Sequence, residues 1–148
     1  MRAGSTQSIA ARMDGEMVAR EARAYMVWLE ELERSVRPDQ GLVSRRYSSP
    51  FVTAYSRYSR IKPVVHGVPS ICIADIVVER PGHGFFGKFL DQFVAEDCLL
   101  RARGLFVENV ANPRFVAWLE RRGFLRSPCS NPSLPTLFLL CERDASAN

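Results

Sequence analysis

Several residue types and patterns that mark whole classes of protein are scarce in this sequence. It contains two histidines, and its four cysteines show no CxxC spacing, which argues against a zinc site and a disulfide framework. No apolar run approaches the ~18 residues of a membrane span, and we find no signal peptide at the start. We therefore expect a soluble, cytoplasmic protein with neither a membrane partner nor a bound metal.

The excess of charge of one sign is also small. Twenty basic residues face 16 acidic ones, giving a formal net charge of +4 in 148 residues, which is too weak to indicate nucleic acid as a partner. Hydrophobic residues make up 47% of the chain and charged residues 24%, as in globular proteins, and these values exclude wholesale disorder.

The order of the apolar patterns predicts a mixed α/β fold. We expect a flexible tail over residues 1–13, a single domain over 14–141 and a second tail over 142–148. An amphipathic helix is predicted from Asp14 to the stop at Pro38, with polar residues between its apolar positions. The patterns that follow predict a mixed central sheet of about five to seven strands flanked by helices.

The second half of the chain alternates predicted strands with predicted helices. One helix is predicted to follow Gly84 and to end at Gly104, and another runs from an N-cap at Asn112 to Gly123. Strands are predicted over Phe51–Tyr58, Ile61–Val65, Ser70–Glu79, Leu105–Val110 and Thr136–Cys141.

A glycine-containing turn, Arg80-Pro81-Gly82-His83-Gly84, links the strand that ends at Glu79 to the next helix. Glycines let the backbone approach a phosphate, and the N–H groups and dipole of the helix start stabilise its charge. The turn therefore favours an anion site, although a plain tight turn explains the same residues about as well.

Two stretches of the sequence resemble the GNAT superfamily of acyl-CoA N-acyltransferases. ADIVVERPGHGFFGKFL, from Ala74 to Leu90, is similar to motif A, in which EDIVV is followed by RGxGxG at the start of a helix. NPRFVAWLERRGF, from Asn112 to Phe124, is similar to motif B, NxxAxxxYxxxGF. The resemblance covers about a third of the chain and implies a GNAT-like fold.

What the resemblance implies is an acyl-CoA such as acetyl-CoA as cofactor, and an amine of a small molecule or protein as acceptor. The pyrophosphate would lie on the N–H groups of the glycine turn, and the pantetheine arm in a gap between the strand ending at Val78 and the strand that reaches Asn109. A backbone N–H near Val77 or Val78 would polarise the acyl carbonyl. The implied cofactor-binding residues are Val77, Val78, Arg80, Gly82, His83, Gly84, Phe85, Phe86, Gly87, Lys88, Asn109 and Asn112.

Three side chains are candidates for moving the proton of the attacking amine. Asp75 and Glu79 are possible bases, and His83 has a reference pKa of about 6.5, near neutrality. Each also has a structural interpretation: a carboxylate hydrogen-bonded within the sheet, a solvated strand end and an exposed loop residue, respectively.

A second interpretation stays open, in which a degenerate GNAT fold serves as a protein-binding module or regulator with weak or no catalysis. It is favoured by Leu119, which stands where the family often has a general-acid tyrosine, and by Phe86, where the glycine loop usually ends on a small residue. Aromatic and arginine residues between Arg45 and Arg60 are either an acceptor surface, a patch for an acidic partner, a dimer interface or an ordinary sheet face.

Overall fold

The computed structural model describes residues 3–60, 68–78, 84–128 and 130–142, with side chains from residue 15 onward. These residues form the expected α/β fold, a six-stranded mixed sheet with three helices. The helices are α1 (Ala3–Ser35), α2 (Phe85–Val94) and α3 (Pro113–Arg121). The strands are β1 (Leu42–Ser48), β2 (Val52–Ser59), β3 (Ser70–Val78), β4 (Gly104–Val107), β5 (Leu125–Arg126) and β6 (Leu137–Leu140).

The strands lie in the order β1-β2-β3-β4-β6-β5. Neighbours are antiparallel except for β3 and β4, which are parallel and are connected through α2. A parallel pair needs such a crossover connection, because the chain must return to the edge from which it started. The predicted strand over Ile61–Val65 lies outside the described residues.

Helix α1 begins earlier than its sequence pattern predicts. It starts at Ala3 and not at Asp14, so the predicted helix start was wrong. No proline separates the two positions, and Ala10, Ala11 and Met13 favour helix, so nothing stops the helix from extending backwards. The flexibility of residues 1–13 stays a prediction.

One face of the sheet carries the main core. The strand register places Ile73, Val107 and Leu137 side by side on this face, and all three are buried. Buried side chains of all three helices belong to the same continuous cluster, among them Phe89 of α2 and Leu119 of α3. The helices and this face of the sheet therefore hold each other in place.

The opposite face carries a smaller, separate cluster. Cys72 and Phe106 are buried there with Phe138 packed against them, and the rings of Phe106 and Phe138 stack at 5.6 Å. Arg57 of β2 pairs with Cys72 in the register and so lies on the same face, where it donates to Oε1 of Glu108 at 3.2 Å. Glu108 thus lies on this face, in an ion pair just beyond the end of β4.

Helix α2 is shorter than predicted. It ends at Val94, and Gly104 is the first residue of β4 where we expected the end of a helix. The carboxylate of Glu33 on α1 accepts hydrogen bonds from the backbone N–H groups of Arg101 and Ala102, at 2.8 and 2.9 Å. These two bonds fix the segment before β4 in a non-helical conformation, which local periodicity does not reveal.

Candidate functional site

A gap opens between the two parallel strands at their carboxyl ends. Ser70–Ile73 of β3 pairs with Gly104–Val107 of β4, and the N–H of Glu108 donates to the carbonyl oxygen of Ile73 at 2.9 Å. Beyond that bond β3 continues beside β2 to Val78, whereas β4 has already ended. In open α/β sheets ligands bind outside the carboxyl ends of the strands, at such a separation.

A β-bulge in β3 contributes to this separation. Ala54 of β2 pairs with Ile76 and Ser56 with Ile73, so β3 uses three residue steps where β2 uses two. A bulge bends its strand and increases the local twist. After the bulge Ile76 packs against the main core, while Val77 is 58% exposed.

The other side of the gap is set by a turn after β4. Asn109 has a φ of 54°, in the left-handed region that asparagine tolerates better than most residues. Its N–H donates to Oγ1 of Thr136 at 3.3 Å, and the N–H of Val110 donates to the carbonyl oxygen of Pro135 at 2.9 Å. The chain therefore turns toward the segment before β6 and away from β3.

The N-terminus of α2 follows β3 and belongs to the same edge of the sheet. Its N-cap, Gly84, has a φ of 79° and provides no side-chain hydrogen bond. The first intrahelical bond runs from the N–H of Lys88 to the carbonyl oxygen of Gly84 at 3.0 Å, so the preceding N–H groups have no acceptor within the helix. The first turn has no acidic residue, and Lys88 is exposed. These features favour an anion.

The first two side chains of α2 turn into the core. Phe85 packs against Tyr25 of α1 at 6.2 Å and against Phe51, while Phe86 meets the rings of Phe115 and Trp118 at 5.4 and 5.9 Å. Both phenylalanines are buried. Phe86 is thus a packing residue between α2 and α3, and its ring anchors the turn of backbone that starts α2.

The structure brings several of the predicted cofactor-binding residues to one edge. Val77 and Val78 end β3, Gly84 to Lys88 start α2, and Asn109 follows β4. Glu79, Arg80, Gly82 and His83 lie outside the described residues, so the roles assigned to them stay predictions.

Asp75 and Asn112 occupy different settings. Asp75 lies at the bulge and is exposed, and within the described residues no ion pair includes it. Asn112 is the N-cap of α3, as predicted, and its Oδ1 accepts from the N–H of Arg114 at 2.9 Å. A cofactor contact by Asn112 stays a prediction.

Tyr55 is a neighbour of Asp75 that the sequence analysis did not connect with it. The register places Tyr55 opposite Arg46 of β1 on one side and beside the bulge of β3 on the other. Its side chain is half-buried, and it lies on β2, which borders β3 on the side away from the gap. The aromatic pattern of the sequence predicted β2, but only the pairing of β2 with β3 shows that Tyr55 lies beside Asp75.

Two kinds of site are missing from the part of the chain that the structure describes. No group of three histidine, cysteine, aspartate or glutamate side chains there could hold a metal ion. No helix in those ranges has the length and apolar character needed to cross a membrane.

Comparison with known proteins gives a distant match to solved structures only. No family model matches the chain, and no curated protein matches it. The chain is similar to a mutant of the toxin AtaT bound to the C-terminus of the antitoxin AtaR and acetyl-CoA, and to that mutant bound to the antitoxin C-terminus. In both, the identity is 19% and the TM-score 0.42, over 61% of this chain and 58% of that chain. The chain therefore spans less than two thirds of these neighbours.

Proposed function

We propose that the protein binds an acyl-CoA, such as acetyl-CoA, and transfers its acyl group to an amine of a small molecule or protein. The observation that carries this proposal is the gap between β3 and β4, which opens beside an α2 N-terminus without a side-chain cap. The sequence stretch that resembles the first GNAT motif ends β3 and starts α2, and the stretch that resembles the second forms α3, which follows β4 in the chain.

The residues at this edge suit the separate parts of the cofactor. The N–H groups at the start of α2 would hold the pyrophosphate, with Lys88 adding positive charge. Past Ile73, none of the described residues pairs with β3 on the side of β4, so the N–H groups of β3 that face this side are available to a ligand in the gap. A backbone N–H near Val77 or Val78 would donate to the acyl carbonyl oxygen.

The chain's own residues would hold the amine and remove its proton. When bound, the acyl-CoA supplies the thioester that the amine attacks, with the CoA thiol as the leaving group. Asp75 is exposed beside the gap and is our first candidate to accept the proton, directly or through water. Glu79 and His83, on the segment that joins β3 to α2, are the further candidates.

One observation favours the second candidate function, a protein-binding module or regulator with weak or no catalysis. Leu119, where the GNAT family often has a general-acid tyrosine, is completely buried in the core. A proton donor at this position is therefore absent, and any catalysis has to use another group or solvent. Cofactor binding without turnover would support this alternative.

Calorimetric titration with acetyl-CoA and CoA tests the proposal, with Gly84→Asp and Gly84→Asn as a matched pair. Both side chains tolerate the left-handed conformation at Gly84, but only aspartate brings a negative charge to the expected pyrophosphate position. We expect micromolar binding to the unmodified chain, similar binding to Gly84→Asn, and at least about tenfold weaker binding to Gly84→Asp.

The two variants also separate misfolding from lost binding. Circular dichroism should give the same helix content for both, since asparagine and aspartate tolerate the left-handed backbone at this position to a similar extent. Absence of binding to the unmodified chain at millimolar cofactor would overturn the proposal. Equal affinities of the two variants for acetyl-CoA would show that the pyrophosphate does not bind at the start of α2.

A further inference from the structure

A second cavity lies at the other end of β3, beside the last turns of α1. Its volume is about 710 Å³, within the range of small-molecule sites. Glu30 and Arg34 of α1 line it together with Tyr58 of β2 and Arg101, which precedes β4. The candidate acyl-CoA site lies at the carboxyl end of β3, so this cavity is separate from it.

Glu30 is an unusual residue for the wall of such a cavity. It is only 4% exposed, and among the described residues no group donates a hydrogen bond to its buried Oε1. Burial of a carboxylate oxygen without a donor is unfavourable. The Glu30 side chain lines the cavity, so a ligand there that donates a hydrogen bond to its carboxylate would offset this penalty.

Other polar groups of the cavity already have partners. Glu33 accepts from the backbone N–H groups of Arg101 and Ala102, and Arg60 donates to the carbonyl oxygens of Pro38 and Arg37, at 3.3 and 3.1 Å. Each carboxylate oxygen of Glu33 therefore already accepts one hydrogen bond within the protein. Arg60 likewise serves to hold the turn after α1.

Unlike Arg60, two other arginines at the cavity do not hold a turn of the described chain in place. Arg34 and Arg101 are exposed, and the described part of the chain contains no ion pair made by either. Arg34 follows Glu30 by one helical turn, a spacing at which Cβ atoms are about 5–6 Å apart, yet the two side chains form no ion pair in the described structure. The cavity thus combines a buried acceptor with cationic groups at its surface.

We propose that this cavity binds a zwitterionic small molecule, with its ammonium group on Glu30 and its phosphate or carboxylate group on Arg34 and Arg101. An ammonium donates charge-assisted hydrogen bonds to a buried carboxylate, and a guanidinium fork suits phosphate and carboxylate oxygens. The proposal does not depend on acyl-CoA binding, since it uses different residues at another edge of the sheet.

Glucosamine 6-phosphate is a suitable probe, with glucose 6-phosphate and glucosamine as analogues that lack the ammonium and the phosphate, respectively. Calorimetric titration should give affinity for glucosamine 6-phosphate that is at least about tenfold higher than for either analogue. Equal affinities for the three sugars, or no binding at 10 mM (about the weakest binding that titration detects), would overturn the proposal.

Substitutions of the residues that line the cavity test whether glucosamine 6-phosphate binds there. Glu30→Gln should weaken binding of glucosamine 6-phosphate at least about tenfold, whereas Glu31→Gln, on the exposed side of the same helix turn, should leave it unchanged. Arg34→Gln changes an exposed side chain and keeps the test available if Glu30→Gln fails to fold. Binding that survives both Glu30→Gln and Arg34→Gln would contradict the proposal.

Discussion

At its N-terminal end β3 is enclosed by both neighbouring strands, whereas at its C-terminal end it borders an open gap. Ser70 and Ile73 are completely buried, and Gly104 of β4 lies so close to Ser70 that a Cβ on the glycine would collide with the serine side chain. Asp75 in the bulge and Val77 beyond it are exposed. The closed end fixes the two strands, so the open end can keep unpaired backbone groups in a rigid arrangement, which is what a binding site needs.

The largest effect is expected from a substitution at the closed end. Gly104→Ala should lower the free energy of unfolding by about 3 kcal/mol, the upper part of the range for overpacking, because the new methyl group overlaps Ser70. The Ser70 hydroxyl cannot easily move, since it is buried and donates to the carbonyl oxygen of Val68 at 3.1 Å. Urea unfolding followed by circular dichroism measures the change.

Two further variants check that explanation. Gly41→Ala adds a methyl group where no atom lies within 4 Å, and should change the free energy of unfolding by less than about 0.5 kcal/mol. Adding Ser70→Gly to Gly104→Ala should restore part of the loss. If Gly104→Ala unfolds like the unmodified protein, the two strands are not in close contact.

Local signals in the sequence predicted several of these elements correctly. The apolar run of β3, the N-cap at Asn112 and the stop at Gly123, which has a φ of 95°, each depend on residues next to one another in the chain. The two strands that no pattern predicted, β1 and β5, lie at the edges of the sheet, and β5 consists of two exposed residues. Edge strands carry little of the buried alternation that identifies a strand.

Contacts between distant parts of the chain explain what the sequence did not reveal. Glu33 fixes the segment before β4 by accepting a hydrogen bond from Arg101, 68 positions later in the chain. The bulge at Asp75 is defined only by the pairing of β3 with β2. Glu30 belongs to the polar residues of α1 in the sequence pattern, yet the fold buries it. The gap was implied by family resemblance, but its borders depend on register, which a single sequence does not specify.

The core next to the closed end contains a buried polar pair whose loss should have an intermediate effect. The hydroxyls of Tyr25 and Ser56 lie 2.6 Å apart, and both residues are completely buried. Tyr25→Phe should lower the free energy of unfolding at pH 8 by about 1–2 kcal/mol, because the Ser56 hydroxyl loses its partner. The double variant Tyr25→Phe with Ser56→Ala should be more stable than Tyr25→Phe, and the opposite result would contradict this explanation.

The same pair predicts how stability depends on alkaline pH. Burial raises the pKa of Tyr25 above its ordinary value, as it does for Tyr47 and Tyr58. Below pH ~10 these phenols are neutral in both the folded and the unfolded protein. Above pH ~10 they ionise in the unfolded chain before they do so in the folded protein, so the free energy of unfolding falls as pH rises. Tyr25→Phe should reduce this loss by up to about 1.4 kcal/mol per pH unit. Urea unfolding of both proteins at pH 8 and pH 11 measures this difference. If Tyr25→Phe and the unmodified protein lose the same stability between the two pH values, Tyr25 ionises as readily in the folded protein as in the unfolded chain.

The smallest effect on stability, and a large one on turnover, is expected at the open end. Asp75 is exposed, so Asp75→Asn should change the free energy of unfolding by less than about 0.5 kcal/mol and leave acetyl-CoA affinity unchanged. If Asp75 accepts the proton of the amine, as we propose, kcat should fall about 100-fold. The assay follows release of the CoA thiol with an acceptor that the unmodified protein acylates, with the exposed Asp97→Asn as control. Equal kcat values for Asp75→Asn and the control would assign proton removal to Glu79, His83 or solvent, and the bulge would then serve only to shape the gap.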